Sequence, residues 1–523
     1  MKKWLIGTAL VLALGVGGAY YYAKKLQREW EPMARQQLIE YLEKRFDSSV
    51  EVGKLDFKIP ISSPWELLRH GADTQVISAY GEDFKLRYKR RTDIEPMIVF
   101  KRLTASANLE ILYQGPRTVK LVKLEGLRIT MPPKGERPVA KGDPTPQQPD
   151  PNPVLVEKIV ADGTFLQILP SKPNKPPLEF DLYRLTLSAA GPGKGYVYET
   201  VMTNPKPPGQ IQAKGHFGPW NREDPRESAL DGDYVFANAD LGVFKGIAGM
   251  LQSTGHFEGV LEEIRAQGEC RVQNFSLSMS GNPVPLNVKY SALVDGTNGD
   301  TYLQPVQAVL GKTAFTARGH VIGLTGISGR EIHLDVDMPK GHLGDVLRLA
   351  VKGQKQFLHG FIQLKTTIDI PPGPEVVINK IKMKGHFEIK EANFTSNAIQ
   401  DKIDGLSKRG QGKPGDDSID HIPATFRGQY RMADGKIHFE PVIFVVPGAL
   451  VDLKGSYEVD PGELDFHGSL NLAAKMSDTF GGWKRWALKP FNPIFAKNDV
   501  GTFLRIAVTG SKDNPKFGLD KKP

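Results

Sequence analysis

Apolar and polar residues alternate with a period of two along most of the chain from about residue 50 onward, the signature of strands that bury one face. The pattern is clearest near the C-terminus. There Phe426, Gly428, Tyr430 and Met432 interleave with Arg427, Gln429 and Arg431, and after a turn at Ala433, Asp434 and Gly435 the same face continues through Ile437 and Phe439. Beyond the Asp460-Pro461-Gly462 turn, Leu464, Phe466, Gly468, Leu470 and Leu472 point one way, while Glu463, Asp465, His467, Ser469 and Asn471 point the other. Near the start, Val50 and Val52, then Leu55, Phe57 and Ile59, alternate with a phase slip at Gly53, which predicts a strand with a bulge. The triplets Gly215-His216-Phe217, Gly255-His256-Phe257 and Gly385-His386-Phe387 echo one another, with Gly319-His320-Val321 similar. Such echoes point to a sheet extended by repetition rather than to separate catalytic domains.

Helical periodicity is confined to a few places. Leu26, Trp30, Met33, Leu38, Tyr41, Leu42 and Phe46 recur at roughly helical spacing among charged residues, predicting one amphipathic helix whose apolar face either covers the end of the following sheet, the commoner case, or lies along the membrane. Short helices are expected at Trp65 to His70, Leu241 to Gln252, Leu343 to Lys352 and Asn397 to Leu406. Trp4 to Ala23 reads WLIGTALVLALGVGGAYYYA, about twenty uncharged residues and long enough to cross a hydrocarbon core. Lys2, Lys3, Trp4 and the Tyr20 to Tyr22 cluster stand where membrane-boundary residues belong. A cleaved signal peptide is the rival, since Gly17, Gly18 and Ala19 suit a cleavage site; the tyrosines that follow favour a retained span. Either way the body is exported. Charge does not set the orientation, because Lys24, Lys25 and Arg28 compete with Lys2 and Lys3.

Prolines and polar runs punctuate the rest. Pro132 to Pro153, with its run KGDPTPQQPDPNP, reads as an exposed linker or extended loop that divides the chain, and Gly405 to Ser418 as a mobile loop. The expected organisation is an anchor (1–25), an amphipathic helix with the first sheet segment (26–131), the linker (132–153), a repetitive sheet body (154–475) and a C-terminal segment (476–523). In that last part Trp483, Trp486, Phe491 and Phe495, among Lys484, Arg485, Lys489 and Lys497, have the composition either of an interfacial membrane contact or of an end cap.

Composition narrows the function classes. Of 523 residues 40% are hydrophobic and 24% charged, a folded rather than disordered balance despite 39 prolines. The net charge of +9 is spread along the chain and suits an anionic neighbour such as a lipid surface. The densest basic stretch, Lys85 to Arg102, lacks a nucleic-acid-binding motif, so no nucleic-acid partner is expected. Cys270 is the only cysteine, which excludes an intrachain disulfide. No P-loop, dinucleotide fingerprint, HExxH, Gly-x-Ser-x-Gly or EF-hand motif occurs, and no cofactor or enzymatic activity is expected. The best metal-like set, His333, Asp335 and Asp337, spaces its side chains about 7 Å apart along a strand, too far for one small ion.

A one-sided apolar sheet must be covered by helices, by a second sheet, by closure into a barrel, or by a ligand. Helices are too few here, and alternation does not separate the other solutions. Membrane tethering tilts the expectation toward a curved sheet whose concave face solvates acyl chains, each buried methylene contributing about 0.8 kcal/mol. Phe426, Tyr430, Met432, Leu464, Phe466 and Leu470 are the candidate lipid-facing residues.

Four stretches resemble the AsmA-like proteins of diderm bacteria, relatives of bridge-like lipid-transfer proteins. They are the anchor followed by ARQQLIEYLEKRFDSSVEVGKLDF, then VKLVKLEGLRITMPP, then YVFANADLGVFKGIAGMLQSTGHFEGVLEEIRAQGECRVQNF, and the ending LKPFNPIFAKNDVGTFLRIAVTGSKDNPKFGLD. The resemblance implies a mainly β fold: a transmembrane helix and an amphipathic helix, followed by an elongated, curved antiparallel sheet (a β-groove) with a few short helices. It also implies a single-pass inner-membrane anchor, a periplasmic body, and movement of phospholipid toward the outer membrane or maintenance of that envelope. The proline-rich linker and the modest length depart from the family's largest members. About twenty strands at about 4.8 Å give a groove on the order of 100 Å, so that oligomerisation or an outer-membrane or envelope protein partner would complete a bridge.

Overall fold

The computed structural model describes residues 48–58, 76–108, 118–132, 155–170, 177–190, 194–474 (apart from 220, 222–223, 325 and 354–355) and 502–520 (apart from 512–513), with part of 35–43. Strands form wherever apolar residues alternate. Twenty-seven of them, from β1 (Ser48–Lys58) to β27 (Asn514–Leu519), join in one long, curved, almost wholly antiparallel sheet. Most neighbours in space are neighbours in sequence, as a meander built by repeated hairpins requires. The chain therefore reverses alternately at two rims. We call the rim where β1 begins the near rim, and the one where it ends the far rim.

The ladder does break at Gly53, but not through the expected bulge: each strand carries one unpaired residue there, so the register resumes without a shift. Val52 pairs with Phe84 and Lys54 with Glu82, leaving Gly53 and Asp83 without register partners. True bulges, with a shift of register, occur in many of the later pairings, from β9 (Leu178–Ala189) and β10 (Tyr196–Pro205) to β23 (Lys436–Val446) and β24 (Ala449–Glu458). Each adds local bend and twist, which curves the sheet across its width.

One pairing breaks the meander. β4 (Thr118–Glu125) runs parallel to β6 (Leu155–Val156) and β7 (Lys158–Val160), and β5 (Arg128–Met131) runs parallel to β8 (Thr164–Ile168). Parallel neighbours need a return crossing, and accordingly Pro132 stands at the near rim and Leu155 at the far rim. The sheet itself runs on across this stretch. The rest of the proline-rich segment, 133–153, lies outside the described residues, as do the Trp4 to Ala23 span, Trp65 to His70, Trp483, Trp486, Phe491 and Phe495. Among the described residues, no helix is long and apolar enough to cross a membrane. Of the expected amphipathic helix, Ile39 and Leu42 are helical and pack against a core of Val50, Phe84, Leu86, Met97 and Phe100, covering the first strands at the near rim.

Three helices interrupt the described strands. α1 (Leu343–Ala350) and α3 (Asn397–Gly410) match two expectations, and α2 (Val377–Lys380) is a single turn at the far rim. A helix expected over Leu241 to Gln252 is instead one 3-10 turn at Leu241–Val243, with a strand starting at Met250. The cause is Gly246 and Gly249, whose φ values of 93° and 136° break any helix. The loop expected from Gly405 to Ser418 is likewise corrected: it starts inside α3 and is held down by Asp404. That carboxylate, 4% exposed, accepts from Gln400 Nε2 at 2.9 Å and from the backbone N–H groups of His421 and Ile422 at 3.0 and 2.9 Å. Burial works to raise its pKa, but these donors together outweigh it and hold it below the usual value.

A candidate lipid-carrying face

Antiparallel register turns alternation into rows, because paired residues on adjacent strands share a face. One row crosses the sheet from end to end. It begins Phe57, Ala79, Ala105, Val122, Ile159, Leu187 and Tyr198. It continues through Gly215, Gly232, Phe257, Ala266, Ala292, Leu303, Gly319 and Leu334. It ends Ile368, Met383, Met432, Ile437, Tyr457, Leu464 and Gly510. No charged side chain occurs in it. Tyr198, Gly215, Gly232, Ala292 and Met432 are buried and every other member is half-buried, none fully exposed. No second sheet packs over this face, since the described strands form one layer. The row is thus partly sheltered, and no second layer of described strands closes it.

The opposite face is polar at matching positions. His216 meets Asp231 at 3.0 Å, His256 meets Asp233 at 2.9 Å, and Lys365 meets Asp337 at 3.0 Å. This gives the triplet echo a physical meaning. Its glycine and its Phe or Val lie on the apolar face, and its histidine lies on the polar face, where His216, His256 and His320 each approach a carboxylate on the next strand. The glycines make room for neighbouring strands and rings: a Cβ on Gly232 would sit 2.3 Å from Tyr198 Oη, and one on Gly255 3.0 Å from the Tyr234 ring. His333, Asp335 and Asp337 are on the polar face, bonded respectively to Asp369, to Thr367 and to Lys365. Among the described residues no group of three such side chains is placed to hold a metal ion.

All six candidate lipid-facing residues stand on the apolar face, in three rows. Met432 and Leu464 belong to the end-to-end row. Tyr430 and Phe466 belong to the next row inward, where Tyr430, Phe439, Gly455 and Phe466 pair in turn. Phe426 and Leu470 lie in a third row with Ile389, Phe444 and Val451. This third row is covered. α1 and α3 lean over it from the near rim, and Ile399, Ile403 and Leu406 of α3 join the same apolar cluster. The rows nearer the far rim stay half-open, so Tyr430, Phe466 and Leu464 present the accessible surface and Phe426 and Leu470 support the helices. Met432, 5% exposed, forms the floor.

Polar atoms that do stand on the apolar face are paired within it. Tyr430 Oη donates to Thr366 Oγ1 at 2.9 Å, and Thr366 donates to the Lys384 carbonyl. At mid-length Tyr234 Oη bonds Ser253 Oγ and Tyr290 Oη, while Ser253 donates to the Glu269 carbonyl. Burial raises the phenol pKa of Tyr198, Tyr234 and Tyr430, with Ser253 and Thr366 partly opposing it in the last two. Cys270 stands in register between Ser253 and Val288 on this face, and burial pushes its thiol up to about 11. Sequence reasoning found the alternation in individual strands but not the end-to-end row, because register across bulges is set by pairing and cannot be read from one strand. Compared with protein-family models, curated proteins and solved structures, the chain has no significant match.

Proposed function

We propose that this chain is a membrane-anchored lipid-transfer protein of the AsmA-like type, with its anchor in a bacterial inner membrane and its body in the periplasm. Its sheet shields phospholipid acyl chains in an apolar groove for transport toward, or maintenance of, the outer membrane. The observation that carries this reading is the unbroken, uncharged, half-open row from Phe57 to Gly510. A folded domain that needed only a core would cover such a row with a second layer. An acyl chain of about sixteen carbons laid on it with about half of its surface covered gains about 6 kcal/mol, which offsets part of the cost of leaving a bilayer. No chemistry is required of the protein. Lipid moves down its own gradient or under an external drive.

The test is the cargo. The chain purified in mild detergent, exchanged into detergent-free buffer and extracted, should yield phospholipid by mass spectrometry. Phospholipid-free protein, with crosslinks to other proteins concentrated on the free edge at Asn514–Leu519, would replace the reading by an assembly factor acting through strand edges.

A further inference from the structure

Among the described residues the two rims of the sheet meet beside Lys245. The connection between β12 (Leu230–Asp240) and β14 (Met250–Val260) turns at the near rim, and the connection between β20 (Leu358–Ile370) and β21 (Lys382–Phe394) turns at the far rim. They are 129 residues apart, yet Lys245 Nζ donates to the Pro374 carbonyl at 2.8 Å. Beside that bond Gly246 lies against Val377 of α2, so closely that a Cβ on Gly246 would be 3.3 Å from Val377 Cβ. Sheet twist accounts for the meeting. About seven strand-to-strand steps separate β12 from β20, and at roughly 20–25° each the far rim is carried on the order of 150° around the sheet axis. Half a turn exchanges the sides on which the rims lie, so that a near-rim connection and a far-rim connection can come together.

We propose that this contact is a clasp that closes the groove at mid-length into a passage, so that lipid goes past it along the groove axis and enters or leaves only on either side. The inference rests on the lipid-carrying reading of the apolar face. Across the strands that separate the two halves of the clasp the end-to-end row continues through Phe257, Ala266, Ala292, Leu303 and Leu334, which gives a tail a continuous floor over that stretch. The clasp is also narrow, since Val243 and Val376 beside it stay 42% and 64% exposed.

A disulfide across the clasp tests it. In full-length protein with Cys270→Ala, the pair Gly246→Cys and Val377→Cys should oxidise to an intramolecular disulfide, because the Cβ separation is close to what one spans. Transfer of a fluorescent phospholipid between phosphatidylethanolamine/phosphatidylglycerol vesicles should then agree within about twofold between oxidised and reduced protein. Failure of the pair to oxidise in folded protein overturns the clasp. Oxidation that cuts transfer about tenfold or more, restored by reduction, overturns axial passage and means that the rims must part. If the unsubstituted protein transfers no lipid, the lipid-carrying reading falls, and the clasp is judged by oxidation and by hydrogen exchange alone. The exchange experiment avoids a side chain at Gly246, whose φ of 93° strains it. Lys245→Met should speed amide exchange at Asn379 and Ile381, which bond within α2 and its flanks, by roughly tenfold while leaving β20 unchanged. Unchanged exchange at both positions overturns the clasp.

Discussion

A single charge placed in the groove should block it in a way that acid relieves. Phe466 is half-buried, its ring centroid is 5.6 Å from that of Phe439, and it pairs with Gly455 and Val508, so no charged residue shares its row nearby. In Phe466→Glu the carboxylate is hydrated while the groove is empty. When an acyl chain covers it, the group must lose its water or its charge, and protonation is the cheaper route. For an ordinary glutamate pKa of about 4.3, protonation at pH 7 costs about 3.7 kcal/mol, or about 500-fold in the passage of each lipid. At pH 5.3 the same step costs about 1.4 kcal/mol, or about tenfold. Phe466→Gln is the control, since it removes the same ring without adding a titratable group. Vesicle-to-vesicle transfer by the two variants, each checked for folding by circular dichroism, should therefore differ by up to about 500-fold at pH 7 and converge as the pH falls. Equal transfer by Glu and Gln variants at pH 7 would mean that lipid does not pass over Phe466.

Three further outcomes follow from particular contacts. Cys270, with its thiol pushed by burial up to about 11 from an ordinary 9.0, should react with a maleimide at pH 7.5 about 100-fold more slowly than an ordinary thiol, and more slowly again when lipid is bound; free-thiol rates in the folded protein would place it off the apolar face. Gly232→Val should cost about 1–3 kcal/mol in urea denaturation, because its side chain meets Tyr198 Oη and the Lys214 carbonyl; an unchanged midpoint would deny the close packing there. His467 bonds Asp520 at 2.9 Å and Asp465 at 3.0 Å, and these two carboxylates raise its pKa. A raised histidine contributes stability that is present at low pH and lost as pH rises through its folded-state value. The docking of Asp520 should therefore loosen as pH rises from about 6 to 8, read as faster exchange at the Asp520 amide beyond the intrinsic pH effect, and His467→Gln should abolish that dependence.

Much of the fold was legible because strand alternation is a local signal. The faces at Phe426 to Met432 and Leu464 to Leu472, the break in the ladder at Gly53 and the helices beginning at Leu343 and Asn397 all follow from neighbours in sequence. Two local patterns misled. The apolar run after Leu241 has helical composition, but glycines at positive φ turn it into a rim connection. The polar stretch after Gly405 looks unanchored until Asp404 is seen to collect two backbone N–H groups from 17 and 18 residues away. What could not be read was anything set by long-range register: the end-to-end row, the helix cover over Phe426 and Leu470, and the meeting of Lys245 with Pro374. Those depend on how many bulges intervene and how far the twist accumulates, quantities that no single segment encodes.

The central claim is that one face of the sheet holds lipid tails along its whole length. Photo-crosslinking amino acids placed singly at Leu187, Leu303, Ile368 and Leu464, and at the polar-face positions Gln212, Gln267, Lys384 and Asp465, test it most directly in cells labelled with radioactive phosphate. The account expects phospholipid adducts at all four positions of the row and none on the polar face. Adducts on both faces alike, or at neither, would contradict it.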